Sequence, residues 1–107
     1  MLLFSTAVVP AEQDEAWLHG KWELTYDPDG SEKDWLEFLP GGDAFSSGPL
    51  GRLEGIYIVD GDAVKAVFTF RDKDFIMNFR ADRQARQLKI VTSHTGRESI
   101  YSKISNK

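Results

Sequence analysis

The side chains that could carry acid–base or metal chemistry in this 107-residue chain are few and scattered. His19 and His94 are the two histidines, and neither has a neighbour at metal-ligand spacing. The absence of cysteine excludes disulfides, thiolate-bound zinc and thiol catalysis. No glycine-rich phosphate loop, serine elbow or paired-histidine zinc motif occurs. We therefore expect a protein that is not an enzyme, with no catalytic residue, no metal and no cofactor.

Four carboxylates form the one dense acidic cluster, and they surround a Pro-Gly turn: Asp27, Asp29, Glu32 and Asp34. Calcium loops of the EF-hand type need ligands at fixed positions and a closing bidentate glutamate. This cluster has neither the spacing nor the glutamate. The pattern predicts a solvated loop rather than a calcium site.

Overall composition narrows the classes of partner. The net charge of -4 arises from 17 acidic and 13 basic residues that are mixed along the chain. Nucleic-acid binders carry a basic stripe, and none is present. No basic run suggests attraction to an anionic membrane surface, and no integral membrane segment is predicted. The chain has the length of a single domain.

Residues 2–11 differ from the rest because they carry no charge and are mostly apolar. They end in Val9-Pro10-Ala11, which fits cleavage by a signal peptidase after Ala11, although the positive start of a full signal is missing. Two interpretations stay open. Residues 1–11 are either an export-signal remnant, which predicts a periplasmic or secreted protein, or an N-terminal extension of a cytoplasmic one. The globular domain is expected over residues 12–107.

The remainder of the chain reads as short alternating segments separated by turns. Regular short spacing of this kind predicts an antiparallel meander that closes on itself as a barrel. Asp60-Gly61 is a tight hairpin signal, and Asp14–His19 is expected to form a short helical turn that plugs one end. The predicted strands are Lys21–Tyr26, Asp34–Leu39, 44–46, Leu53–Asp60, Ala63–Phe70, Phe75–Ala81, Leu88–Ser93 and Glu98–Ile104.

An ordered series of short motifs runs through these segments. They are Leu18-His19-Gly20-Lys21-Trp22-Glu23-Leu24, Trp35-Leu36-Glu37-Phe38 with Gly41-Gly42-Asp43, Gly55-Ile56-Tyr57 before the hairpin, and Thr95-Gly96-Arg97 leading to Tyr101-Ser102-Lys103-Ile104. The series resembles the lipocalin-like (calycin) superfamily, in particular its small bacterial domains. The resemblance implies an all-β, antiparallel up-and-down barrel of seven or eight strands. It also implies that Trp22 seals the barrel floor against a basic side chain, here Lys103 or Arg97, where the family usually has arginine.

Alternation predicts that a set of large aromatic side chains points inward: Trp22, Tyr26, Phe38, Tyr57, Phe68, Phe70, Phe75 and Phe79. These rings either fill the barrel or line a ligand cavity, because an eight-stranded barrel is just wide enough for either. In the ligand interpretation, Tyr57, Arg52 or His94 lies near the mouth and holds a polar head group. The candidate binding residues are Tyr26, Phe38, Arg52, Tyr57, Phe68, Phe70 and Phe79.

Two functions follow from these alternatives. The first is a non-enzymatic, lipocalin-like binding protein for a small apolar or aromatic ligand, in the bacterial cell envelope. The second is a protein-interaction module, such as an inhibitor or immunity protein, with a filled barrel and binding loops at Asp27–Asp34 and Ser46–Arg52. The acidic balance suits a basic partner in that case.

Overall fold

The computed structural model describes residues 15–28, 30, 32–91 and 96–105. Within them, eight strands form one closed barrel in which each strand pairs antiparallel with the next, and the last pairs with the first. The all-β antiparallel barrel predicted from the alternating segments is confirmed, with eight strands. The strands are β1 Gly20–Tyr26, β2 Trp35–Phe38, β3 Asp43–Gly48, β4 Gly51–Asp60, β5 Ala63–Phe70, β6 Lys73–Asp82, β7 Gln87–Val91 and β8 Glu98–Ser105.

The third strand is longer than the sequence suggested. It begins at Asp43, continues past Ser46 through Ser47 and Gly48, and pairs with β4 up to the closing pair Gly48↔Gly51. Small polar residues have weak strand propensity, which is why the pattern predicted a loop there. The hairpin turns tightly at Pro49 and Leu50, and Gly51 adopts a φ of 90° that favours glycine.

A packed aromatic core fills the interior. Phe38, at the centre, makes edge-to-face contacts with Tyr57 at 5.1 Å and Phe79 at 6.5 Å between ring centroids. Phe79 in turn meets Tyr101 at 5.8 Å. Such pairs contribute about 0.5–1.5 kcal/mol each beyond the burial of their area. Aromatic side chains therefore occupy the middle of the barrel.

One end of the barrel is closed by residues that precede β1. Leu18 is fully buried, and its carbonyl oxygen accepts a hydrogen bond from Trp22 Nε1 at 2.9 Å. Lys103 Nζ donates to the carbonyl oxygen of Trp17 at 2.8 Å and lies 5.8 Å from the centre of the Trp22 ring. Burial lowers the pKa of Lys103, and the neighbouring charge of Arg86 lowers it further. The residues 15–19 that precede β1, here called the plug, are thus joined to β8 across the floor of the barrel.

The plug is a turn and not a helix. The amide of Leu18 donates to the carbonyl of Glu15, and the amide of His19 donates to that of Ala16. These bonds close two overlapping turns, and the helical turn predicted over Asp14–His19 is not shown; Asp14 itself lies outside the described residues. In the part of the chain that the structure describes, no helix is long and apolar enough to cross a membrane.

The opposite end is open because two neighbouring strands separate there. β5 and β6 are joined by eight residue pairs, whereas β6 and β7 are joined by three, at the closed end. Ile90 and Val91 of β7, which would continue the ladder, pair with β8 alone among the described residues. The sheet therefore parts between β6 and β7 toward the mouth.

Candidate functional site

The parted strands leave a cleft of about 450 Å³ at the mouth of the barrel. Its apolar walls include Leu24 of β1, Met77 of β6 and Ile90 of β7. Polar groups face the same space from the mouth loops and from β8; they are Asp27, Glu32, Asp34, Ser99 and Tyr101. Apolar walls with a few convergent polar groups are characteristic of small-molecule sites.

A second, smaller cavity of about 180 Å³ adjoins the cleft under the β3–β4 hairpin. Its walls are Leu50, Leu53, Phe68 and Phe75, together with the small residues of the hairpin. Asp34 and Met77 line both spaces. The two cavities therefore meet at one carboxylate and one flexible thioether side chain.

Asp34 is held in place by β8 and β1. Tyr101 Oη donates to both of its carboxylate oxygens, at 2.9 and 3.1 Å. The backbone carbonyl of Asp34 accepts from the amide of Leu24 at 3.0 Å, which fixes the loop before β2 against β1. The adjacent Lys33 turns away and pairs with Glu23 at 3.1 Å. Side chain and backbone together aim the Asp34 carboxylate at the cavities.

Space for this carboxylate depends on a glycine. A Cβ atom at Gly48 would lie 2.8 Å from the Cβ of Asp34, closer than real side chains approach. Gly48 pairs with Gly51 at the end of the β3–β4 hairpin. The hairpin can therefore pass next to Asp34 because no side chain stands between them.

The site perturbs the ionisation of both partners in this pair. Burial raises the pKa of Asp34; the hydrogen bond from Tyr101 lowers it, and the nearby Asp27 charge raises it again. Burial, followed by the charge of Asp34, raises the pKa of Tyr101. The phenol thus stays protonated and acts as a donor, while Asp34 is a carboxylate in an environment that disfavours its charge.

A second carboxylate lies beside the first. Asp27 Oδ1 accepts a hydrogen bond at 3.2 Å from the hydroxyl of Ser99, a buried residue of β8. Both acidic side chains therefore bind a hydroxyl donor from the same strand. Asp27 and Asp34 come from the cluster for which a solvated loop was predicted, and that prediction is wrong for both of them, because both are partly buried.

Three of the predicted ligand residues lie in the packed core and line neither mouth cavity. Phe38, Tyr57 and Phe79 are buried against one another. Tyr57 Oη donates to the carbonyl of Leu39 at 2.6 Å, so this hydroxyl is engaged within the fold. Phe68 is also buried but lines the smaller cavity. Within the described part of the chain, Phe68 is the one predicted ligand residue that lines either mouth cavity, and it lines the smaller one.

The remaining predicted ligand residues lie at the surface or nearer to it. Tyr26 is 56% exposed because the β1–β8 register shifts between Leu24 and Tyr26, which places Tyr26 out of the barrel. Arg52 lies over the Phe45 ring at 4.0 Å and 3.8 Å from Glu37, also outside the barrel. Phe70, partly buried, has the Arg71 guanidinium 5.1 Å from its ring centre.

Of the other residues predicted at the floor, at the mouth or inside the barrel, some lie where they were expected and others do not. Lys103 lies at the floor with Trp22, whereas Arg97 lies at the opposite end, where its Nη1 donates to the carbonyl of Pro28 at 3.5 Å. Phe75, expected inside, is 41% exposed at the rim of the smaller cavity. His94 lies outside the described residues.

The sequence interpretation missed Asp34, Tyr101 and Met77 as site residues. The two-residue period places Met77 on the same face of β6 as Phe79, and it places Tyr101 on the same face of β8 as Ser99 and Lys103. The missing signal was the pairing of Tyr101 with Asp34, which are 67 positions apart. No local spacing encodes a contact of that range.

The two aspartates of the cleft are held by hydrogen bonds from β1 and β8. Among the described residues, no group of three or more histidine, aspartate or glutamate side chains is placed to hold a metal ion. What the cleft offers is a fixed carboxylate and an apolar wall, since the hydroxyls of Tyr101 and Ser99 already donate to Asp34 and Asp27.

Neither a protein-family model, nor a curated protein, nor a solved structure matches this chain. The closed, antiparallel eight-stranded barrel is compatible with a lipocalin-like fold.

Proposed function

We propose that this chain is a non-enzymatic, lipocalin-like binding protein that takes a small ligand with an apolar or aromatic body at the mouth of the barrel. The observation that carries the proposal is the pair of adjoining cavities, about 450 and 180 Å³, which share Asp34 and Met77. Their combined size falls within the roughly 300–1,000 Å³ of small-molecule pockets.

The packed core supports a site at the mouth rather than one deep in the barrel. The rings of Phe38, Tyr57 and Phe79 contact one another across the interior. A ligand that reached the floor would have to displace them, at a cost of several kcal/mol of lost packing. The mouth cavities need no such displacement.

A fluorescence titration with Nile red, a neutral apolar dye, tests this proposal. The wild-type protein is expected to bind the dye, and Met77→Trp should abolish binding because the bulkier indole occupies the space beside Asp34 where both cavities are lined by residue 77. The matched control is Ile58→Trp, which adds the same ring to an outer position that is 65% exposed. It should bind as the wild type does.

Native mass spectrometry of protein purified from its own host gives an independent readout. A co-purified small molecule that is lost in Met77→Trp supports the proposal. Absence of any ligand, together with no dye binding by folded wild-type protein, would refute it.

We propose that the protein acts in the cell envelope, and residues 2–11 alone support this localisation. These residues are uncharged and end in Val9-Pro10-Ala11. Export predicts that the chain in cells starts near Glu12. N-terminal sequencing that finds Met1 intact would overturn this localisation without affecting the binding proposal.

The alternative function, a protein-interaction module, is favoured by the filled interior. It is also favoured by the β3–β4 hairpin, which presents Leu50 with 55% of its surface exposed. A defined complex with an identified basic protein, lost on Leu50→Asp and kept in Met77→Trp, would establish this function instead of the first.

A further inference from the structure

The charged side chains that line the two mouth cavities share one sign. In the larger cavity they are Asp27, Glu32 and Asp34, and in the smaller one Asp34 alone. No lysine or arginine lines either space among the described residues. A ligand in these cavities therefore meets a negative potential.

Asp34 has no cationic partner within the described chain. None of the three ion pairs found there includes it; the nearest basic residue in sequence, Lys33, is bound to Glu23. Its two oxygens accept from the hydroxyl of Tyr101. A carboxylate can accept about four hydrogen bonds, so acceptor sites remain open toward the cavities.

We propose that the ligand is an amphiphilic amine, whose ammonium group binds the Asp34 carboxylate while its apolar part lies along Leu24, Met77 and Ile90. This inference rests on the proposed function and specifies the class of ligand. An ammonium group donates three hydrogen bonds and neutralises the charge that the site otherwise leaves unpaired.

Other head groups fit this site less well. A neutral ligand covers the cavity and removes water from Asp34 without supplying a charge, which costs free energy. An anionic head adds repulsion from Asp27 and Asp34. The raised pKa of Asp34 is consistent with a carboxylate that lacks a cation. A bound ammonium group would reverse that shift.

Three ligands that differ only in the head group test the inference: octylammonium, 1-octanol and octanoate, measured at pH 7 by displacement of Nile red. The wild type should bind octylammonium at least about ten-fold more tightly than 1-octanol, the factor expected for one charge-assisted hydrogen bond, and octanoate most weakly. Asp34→Asn should remove the preference for octylammonium, because octylammonium loses its carboxylate partner and 1-octanol no longer removes water from a charge. Asp60→Asn makes the same charge change on an exposed residue that lines neither cavity, and should behave as the wild type does.

The outcomes separate this inference from the proposed function. If 1-octanol binds as tightly as octylammonium, or if Asp34→Asn keeps the preference, the amine assignment is wrong and the binding function stands. If none of the three ligands nor Nile red binds folded protein, the proposed function fails and the inference fails with it. Retention of the amine preference in Asp60→Asn and its loss in Asp34→Asn would establish both.

Discussion

Replacing Gly55 with alanine should be among the most damaging single changes in this barrel. Gly55 lies in the middle of β4 and pairs with Phe68 of β5. A Cβ atom there would lie 2.2 Å from the carbonyl oxygen of Val67 and 2.7 Å from the Phe68 ring. Real Cβ atoms essentially never approach within 3.0 Å, so β4 and β5 would have to separate by about 0.8 Å.

The expected loss in the free energy of unfolding depends on which atoms block the new methyl group. Overpacking in a core typically costs about 1–3 kcal/mol, and the upper end applies when the obstacle is backbone that cannot rotate away. We expect a loss of about 3 kcal/mol. For a domain of this length that corresponds to a fall in Tm of roughly 12–24 °C. Urea unfolding, followed by the fluorescence of the three tryptophans, measures the free energy directly.

Two other glycines are matched controls. Gly48→Ala meets Asp34, a loop residue that can shift, and should cost about 1 kcal/mol. Gly61→Ala meets nothing within 4 Å, so its cost is that of a φ of 62° in a residue with a side chain, about 1–2 kcal/mol. If Gly55→Ala unfolds at the same urea concentration as the wild type, the close approach of β4 to β5 is wrong.

Two further predictions concern the site and the floor. Asp34→Asn should raise the free energy of unfolding at pH 7. The folded pKa of Asp34 is raised above the unfolded value of 3.8, so its stabilising contribution is complete below that pH and is lost as the pH rises through the folded pKa. Tyr101 and Asp27 are the titratable groups that act on this pKa. Urea titrations at several pH values should show the advantage of the variant growing across that window, and a constant difference would contradict the reasoning. Leu18→Ala should cost about 2–5 kcal/mol, because it empties a fully buried position beneath Trp22. Thermal unfolding measures this, and a loss below 1 kcal/mol would mean that the plug does not seal the floor.

Alternation along the chain was enough to predict the barrel and much of its core. Trp22, Leu24, Val64 and Phe68 all lie inside as the two-residue period predicts. It failed for Tyr26 because a register shift in β1 changes the face of every residue beyond it, and nothing in the local sequence marks that shift.

Arg52 and Asp34 show two different reasons why the predicted site differs from the observed one. Arg52 and Tyr57 are five positions apart on one strand, so the same period already assigns them to opposite faces. Asp34 meets Tyr101 because β1 lies between β2 and β8 in the closed barrel. That contact depends on closure and register together, which local patterns do not determine.

Because β6 and β7 separate toward the mouth, part of β6 is an exposed strand edge although the barrel is closed. From Lys73 to Phe79, β6 has β5 on one side and, among the described residues, no strand on the other. A strand with unpaired backbone groups can template pairing with another chain. Here Lys73 and Asp74 place charges at one end of it, a common protection against such pairing. The opening that would admit a ligand is thus also where two copies of the protein could join edge to edge, and a bound ligand that covers it would keep the molecules apart.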